Sequence, residues 1–362
     1  MSIAFCEVDA IDINRYFYSV MCNEIRPSLV VLEGVAQRNL YELENKVVPC
    51  VSLQEVGLSG LIHTFEKFEI DCIYINGQRI VDCVYYAAAE AVGAEVFYIQ
   101  HGMYIPFMRR SASFFAAKVY KSIRYFKYSL SLAYFYRSMT LPLKLLLSHV
   151  MGRKRDWVND FNFKPSVAWV YSEYWKSWHI KHYHFDKGVD FRYMRFPDLN
   201  RFEQKKIVDE NTVTYCYQTL VEDGRIDRSL MHNFYCDLAS WSESNNINIL
   251  VKGHPRMSSS ESAYLTSLGF NIIIDYVPLT QVVLGHYSTL LALWGLQHSR
   301  VVCFTLPGHP IDESFSSWAH VIADFSQLNL SQIPCDFDKA EYIFGSNSLE
   351  YKSPCLTNYA RK

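Results

Sequence analysis

Short apolar runs separated by stretches of helical period open the chain. Ile3 to Val8, Ser28 to Leu32 and Val47 to Val51 are strand-like. Asp71-Cys-Ile-Tyr-Ile-Asn76 reads as a buried strand, Arg79 to Val92 as an Ala-rich helix closed by Gly93, and Glu95 to Ile99 as the next strand. Apolar runs this short, alternating with helices, are the mark of βαβ units and a parallel sheet. After a break the pattern resumes. Asn211 to Leu220 is a strand, Arg228 to Ser242 a helix, and Asn246 to Val251 a strand that runs into Lys252-Gly253-His254-Pro255-Arg256. Asn271 to Asp275 and Gln281 to Leu284 are short strands, a helix follows from Ser288 to Gly295, and Arg300 to Thr305 is the next strand.

A length of 362 residues suits two cores better than one. The expected fold is α/β, with two Rossmann-like domains facing a central cleft. The expected boundaries are 1–165 for the first domain, 166–340 for the second and 341–362 for a tail. Ligands of such domains sit at the carboxyl ends of the strands.

Net charge is −2, which offers no domain-wide basic field for nucleic acid. The ten cysteines stand singly with no C-x-x-C, so they read as reduced and buried rather than as a disulfide frame or zinc site. Glu7 lies in the opening segment with no basic run before it, so no signal peptide is expected. One segment departs from the average. Val96 to Arg155 holds no Asp or Glu, but it does hold Lys118, Lys121, Arg124, Lys127, Arg137 and Lys144 interleaved with Tyr and Phe. A basic, aromatic, helix-compatible stretch (about 104–155) matches an in-plane anchor for an anionic membrane; a solvated helical face that also gathers an anionic acceptor is the alternative. The expected location is cytoplasmic, peripheral on the inner face of the cell membrane.

Three short signals follow strands of the second half. Glu222-Asp223-Gly224 pairs two carboxylates on a loop suited to general-base work, although Asp-Gly is also a common turn. In Lys252-Gly253-His254-Pro255-Arg256, the glycine permits close backbone approach and three basic side chains suit a phosphate or carboxylate. In Gly285-His286-Tyr287-Ser288-Thr289, hydroxyls open a helix, as either an anion site or a simple cap. In the first half Gln100-His101-Gly102 ends a strand, which gives Gln100 and His101 either an acceptor-side role or a place in a tight turn. The His-dense run from Trp178 to His184 lacks metal-ligand spacing, and no metal is expected.

A carboxylate pair with Gly, then His-Pro, then a Ser-Thr pair, in this order over about 211–310, resembles the motifs of bacterial sialyltransferases and capsule polysialyltransferases. That resemblance implies a GT-B fold and a CMP-sialic-acid donor with no metal cofactor. It also implies Glu222 as base, Asp223 as its partner, and His254, Ser288 and Thr289 as phosphate donors, with Lys252 or Arg256 holding the phosphate or sugar carboxylate. The Ser-Thr pair stands where many relatives have two serines. The implied activity is transfer of a nonulosonic acid to a capsule or lipopolysaccharide acceptor. A CMP-Kdo or CDP-glycerol transferase of the same fold is the alternative, and a non-catalytic membrane-bound assembly module is a second.

Overall fold

The computed structural model describes residues 1–7, 27–34, 40–43, 46–100, 112–145, 163–185, 188–194, 203–207, 209–307 and 311–345. It divides into two compact units, the first running on to residue 197 and the second centred on 198–348.

The first unit contains β1 (Ser2–Glu7), β2 (Leu29–Leu32), β3 (Leu40–Leu43), β4 (Lys46–Ser52), α1 (Leu53–Lys67), β5 (Ile70–Ile75), α2 (Ile80–Val92) and β6 (Glu95–Ile99). It continues through α3 (Ala112–Phe135), which belongs to this unit from Lys118 onward, β7 (Val167–Val170), α4 (Glu173–Tyr183) and β8 (Asp190–Tyr193). The sheet order is β3-β4-β2-β1-β5-β6-β7-β8, parallel except for β3, which pairs antiparallel at the edge. Chain order therefore reverses at β1, the outward growth of a doubly wound sheet. Strands β1, β2 and β5 are apolar almost throughout and buried, as sheet strands covered on both faces must be. Helix α2 is buried along most of its length, because its three successive alanines allow close approach, and Gly93 ends it in the left-handed conformation (φ 74°).

The second unit contains β9 (Glu203–Lys206), β10 (Thr212–Cys216), α5 (Arg228–Ser244), β11 (Asn248–Lys252), α6 (Ser259–Ser267), β12 (Asn271–Ile273) and β13 (Tyr276–Leu279). Then come β14 (Val282–Gly285), α7 (Thr289–Leu296), β15 (Arg300–Phe304), α8 (Glu313–Ser316), β16 (His320–Ile322) and α9 (Phe337–Phe344). The main sheet runs β12-β11-β10-β14-β15-β16, with every pairing parallel. Numbered within the sheet this is the 3-2-1-4-5-6 order of the Rossmann fold, with its switch point between β10 and β14. Strands β9 and β13 form a separate parallel pair. The chain is thus α/β with two Rossmann-like units in series, as expected.

Two expected boundaries move. The break expected after 165 falls about thirty residues later, because β7 pairs with β6, and β8 with β7, in the first sheet. A four-residue strand such as Val-Ala-Trp-Val carries too little pattern to be seen alone. The tail expected from 341 begins inside α9, whose Ile343 and Phe344 are buried in the second unit.

Candidate functional site

The carboxyl ends of β10, β11 and β14 lie side by side, so the loops that follow them are neighbours. Cys216 pairs with Lys252 in the β10–β11 register, and Tyr217 N–H donates to the Lys252 carbonyl, one step past the strand. The strand expected to reach Leu220 stops at Cys216. A tight turn replaces it: Asp223 N–H donates to the Thr219 carbonyl, Arg225 N–H to that of Leu220, and Gly224 takes φ 64°. This turn lifts the carboxylate pair off the strand and aims it across to the neighbouring loop.

Glu222 Oε1 accepts two hydrogen bonds, from the Tyr217 hydroxyl at 2.6 Å and from the Ser258 N–H at 3.0 Å. Its Oε2 is buried and has no hydrogen-bond partner among the described residues. Asp223 is occupied on both oxygens. Oδ1 accepts from Arg256 Nη1 at 3.1 Å, while Oδ2 accepts from Thr219 Oγ1 at 3.1 Å and lies 3.5 Å from Arg225 Nε. Arg256 Nη2 also donates to Thr219 Oγ1 at 3.2 Å. Two guanidinium groups therefore flank one carboxylate at the switch point. Burial pulls the Arg225 pKa down, the Asp223 carboxylate opposes that shift, and a guanidinium stays charged at any working pH.

His254 follows β11. Its Nδ1 accepts from the Arg256 N–H at 3.0 Å, so the neutral ring carries its proton on Nε2, as a donor. Pro255 lies between them and is exposed. Lys252 does not join this cluster; it is buried, donates to the Ile274 carbonyl, and its pKa is lowered by desolvation. Gly253 leaves no space for a ligand either. A Cβ there would stand 3.2 Å from Ile272 Cγ2 and 3.3 Å from Ile274 Cγ1, so the glycine serves packing onto the next strand. Gly285 is similar, facing Leu291 at 3.0 Å.

Beyond β14, His286 is fully buried. Its Nδ1–H donates to the Phe304 carbonyl at 3.1 Å, so Nε2 accepts from the Tyr215 hydroxyl at 3.1 Å, and burial lowers its pKa to about 4. It is a core histidine. Tyr287 N–H donates to Gln218 Oε1 at 3.0 Å, tying the β14 loop to the β10 loop. Ser288 caps α7, its Oγ accepting from Leu290 N–H at 3.2 Å, which leaves the hydroxyl proton as a donor; Thr289 is the first helical residue.

In the first unit Gln100 is buried, accepting from Tyr171 N–H at 3.2 Å through its side chain and from the Tyr171 hydroxyl at 3.1 Å through its carbonyl. It holds β6 to the segment after β7. His101 lies outside the described residues. The His-dense helix α4 packs aromatically, with buried His179 between the Trp175 carbonyl and the Tyr98 hydroxyl. No group of three metal-binding side chains occurs among the described residues.

Sequence reading missed Tyr217, Gln218, Thr219, Arg225 and Ser258. Arg225, next to Gly224 in an otherwise unremarkable turn, had the only local signal, a cation beside a carboxylate pair. It also missed a buried cluster at the switch point of the first sheet. There Arg79 meets Glu7 Oε1 at 3.0 Å, Asp82 Oδ2 at 2.8 Å and Asn76 Oδ1 at 3.0 Å. A cavity of about 610 Å³ lies along α5, walled by Phe234, Trp241, Phe304 and Phe325. None of the motif residues lines it.

No family model matches the sequence, and no curated protein matches it. Solved structures do resemble it. Anabaena HepE, in complex with UDP and glucose, is 11% identical with a TM-score of 0.43, over 90% of this chain and 86% of that one. The UDP-GlcNAc 2-epimerase of Methanocaldococcus jannaschii is 11% identical with a TM-score of 0.47, over 98% and 95%. The wall teichoic acid polymerase TagF, solved with CDPG, is 8% identical with a TM-score of 0.45, over 95% and 82%. The fold assignment rests on the two strand orders, not on these likenesses.

Proposed function

We propose that the protein is an inverting glycosyltransferase that moves a sialic-acid-type sugar from a CMP donor to a bacterial surface-glycan acceptor. The observation that carries this reading is the loop cluster at the β10–β14 switch point. It sets the Glu222 carboxylate, whose Oε2 has no hydrogen-bond partner among the described residues, next to Asp223 and the two guanidinium groups that flank it, with His254 Nδ1 accepting from the Arg256 N–H. The acceptor hydroxyl gives its proton to the Glu222 carboxylate as its oxygen bonds to the anomeric carbon. The bond from that carbon to the CMP phosphate oxygen breaks, and its electron pair leaves with CMP. A positioned base contributes about 10² to 10⁴ in rate. The departing phosphate needs donors aimed at its developing charge, which His254 Nε2–H, the Ser288 hydroxyl and Thr289 at the helix start supply. Arg225 and Arg256 take the sugar carboxylate or the phosphate in place of Lys252. Asp223 orients Arg256 rather than taking a proton. These donors stand in for a metal ion, so no cofactor is assigned.

The cytidine donor comes from the motif order alone; of the similar structures named above, HepE is in complex with UDP and glucose and TagF was solved with CDPG. Thermal shift with CMP, CDP, UDP and GDP tests it, because stabilisation grows with ligand concentration over Kd. CMP should give the largest shift. A larger UDP response overturns the donor assignment, and a CDP preference favours a CDP-glycerol transferase. No response to any nucleotide favours a non-catalytic assembly module. The proposal also sets the enzyme on an anionic membrane surface, on the strength of the acid-free segment 96–155.

A further inference from the structure

Helix α3 is apolar on two opposite faces, and the core explains only one of them. Tyr125, Tyr128 and Leu132 are buried in the core of the first unit, and the Tyr136 hydroxyl, just past the helix, donates to Glu90 on α2 at 2.7 Å. On the other side Tyr120, Ile123, Phe126, Leu130 and Tyr134 recur three and four residues apart, on one helical face. All five are exposed, Tyr120 at 72%, Ile123 at 70% and Tyr134 at 90%. The row covers about 21 Å at the helical rise, and Met139 and Leu143 beyond it are exposed as well. A contiguous apolar surface of this kind on a charged protein marks an interaction site.

Charge selects the partner. Exposed Lys127 lies on the same face, and exposed Arg137 and Lys144 follow the helix, in a segment with no Asp or Glu from Val96 to Arg155. No described helix is long and apolar enough to cross a membrane. An apolar row with lysine and arginine at its margins fits a bilayer surface with anionic headgroups, where aromatic rings lie at headgroup depth and the cations meet phosphates. Protein interfaces, by contrast, deplete lysine.

We propose that the outer face of α3 inserts its apolar row into the headgroup–acyl boundary of an anionic bilayer, with Lys127, Arg137 and Lys144 on headgroup phosphates. This rests on the membrane-surface part of the proposed function and names the face that makes the contact.

The test is sedimentation of the full chain with phosphatidylcholine vesicles, with and without phosphatidylglycerol. Wild type should bind only the anionic vesicles. Changing Lys127, Arg137 and Lys144 to Gln should weaken binding by about tenfold or more and flatten its salt dependence. Changing Tyr120, Ile123, Leu130 and Tyr134 to Ser should weaken it at least about tenfold at low salt, with circular dichroism and the nucleotide thermal shift retained. Ile123→Trp, at an exposed position, should tighten binding about threefold. If the serine variant folds and binds like wild type, or Ile123→Trp leaves affinity unchanged, the row is not the seat, although the membrane reading survives. Should wild type ignore every vesicle, both fail together. A wild-type dimer that the serine variant splits, without vesicle binding, makes a second copy the occupant and overturns the proposal.

Discussion

The Tyr217 hydroxyl donates to Glu222 Oε1 at 2.6 Å, so the residue just after β10 fixes a carboxylate five positions along the same loop. Burial first, and the Glu222 bond second, push the Tyr217 phenol far above its ordinary pKa, so it remains a donor at any working pH. With Ser258 N–H on the same oxygen, Oε1 holds two donors, while Oε2 has no hydrogen-bond partner among the described residues.

Glu222→Gln keeps the shape but cannot take a proton. Turnover should fall about 10²-fold or more while the CMP thermal shift persists. Tyr217→Phe removes one of the two donors, so kcat should fall by a smaller factor with little change in KM. If Glu222→Gln is mild and Asp223→Asn abolishes turnover, the proton goes to the second carboxylate.

His254→Ala removes the Nε2–H donor and the acceptor of the Arg256 N–H. Donor affinity should weaken by about 1.5 to 3 kcal/mol, the range for a hydrogen bond to a charged group. Calorimetry with CMP reads this directly. Unchanged affinity with lowered kcat would mean that the ring acts only in the transition state.

The Asp223–Arg256 pair is partly exposed, so its direct contribution to stability is about 0.2 to 1 kcal/mol. A double-mutant cycle of Asp223→Asn and Arg256→Gln should find coupling of that size in stability and a larger coupling in kcat/KM. Equal coupling in both would reduce the pair to a loop staple.

Arg79→Met leaves the Glu7 and Asp82 side chains, both fully buried, without the guanidinium that faces them. Breaking a buried charge network in this way costs about 3 to 5 kcal/mol. Urea unfolding should show the loss. A cost below about 1 kcal/mol would mean that the carboxylates are held by other partners.

His286 and His179 are buried neutral, and in both burial lowers the pKa to about 4, against about 6.5 in the unfolded chain. As pH falls the unfolded state takes the proton first. Their contribution is therefore full above about pH 6.5 and is lost progressively down to about pH 4, by up to about 3 kcal/mol each. Melting temperature should drop between pH 7 and pH 5, and His286→Gln should flatten that drop. A profile unchanged in the variant would show that His286 does not titrate in this window.

The sequence determined the α/β class, the main strands of both sheets and the order of the three motifs, because burial on two faces and helical period are written within ten residues. Gly93 announced the end of α2 for the same local reason. Which polar groups meet depends on the folded arrangement. Lys252 and Arg256 look equivalent in a line of residues, yet one donates to the Ile274 carbonyl and the other reaches Asp223, 33 positions back. Gly253 reads as room for a ligand and proves to be room for Ile272 and Ile274. The first unit runs past 165 because β7 pairs with β6, and α3 shows a second apolar face once Tyr125, Tyr128 and Leu132 have filled the inner one. Propensity acts between near neighbours. Strand order and register bring distant residues to one edge of a sheet, and the charges and hydroxyls that share that edge then set each other's partners.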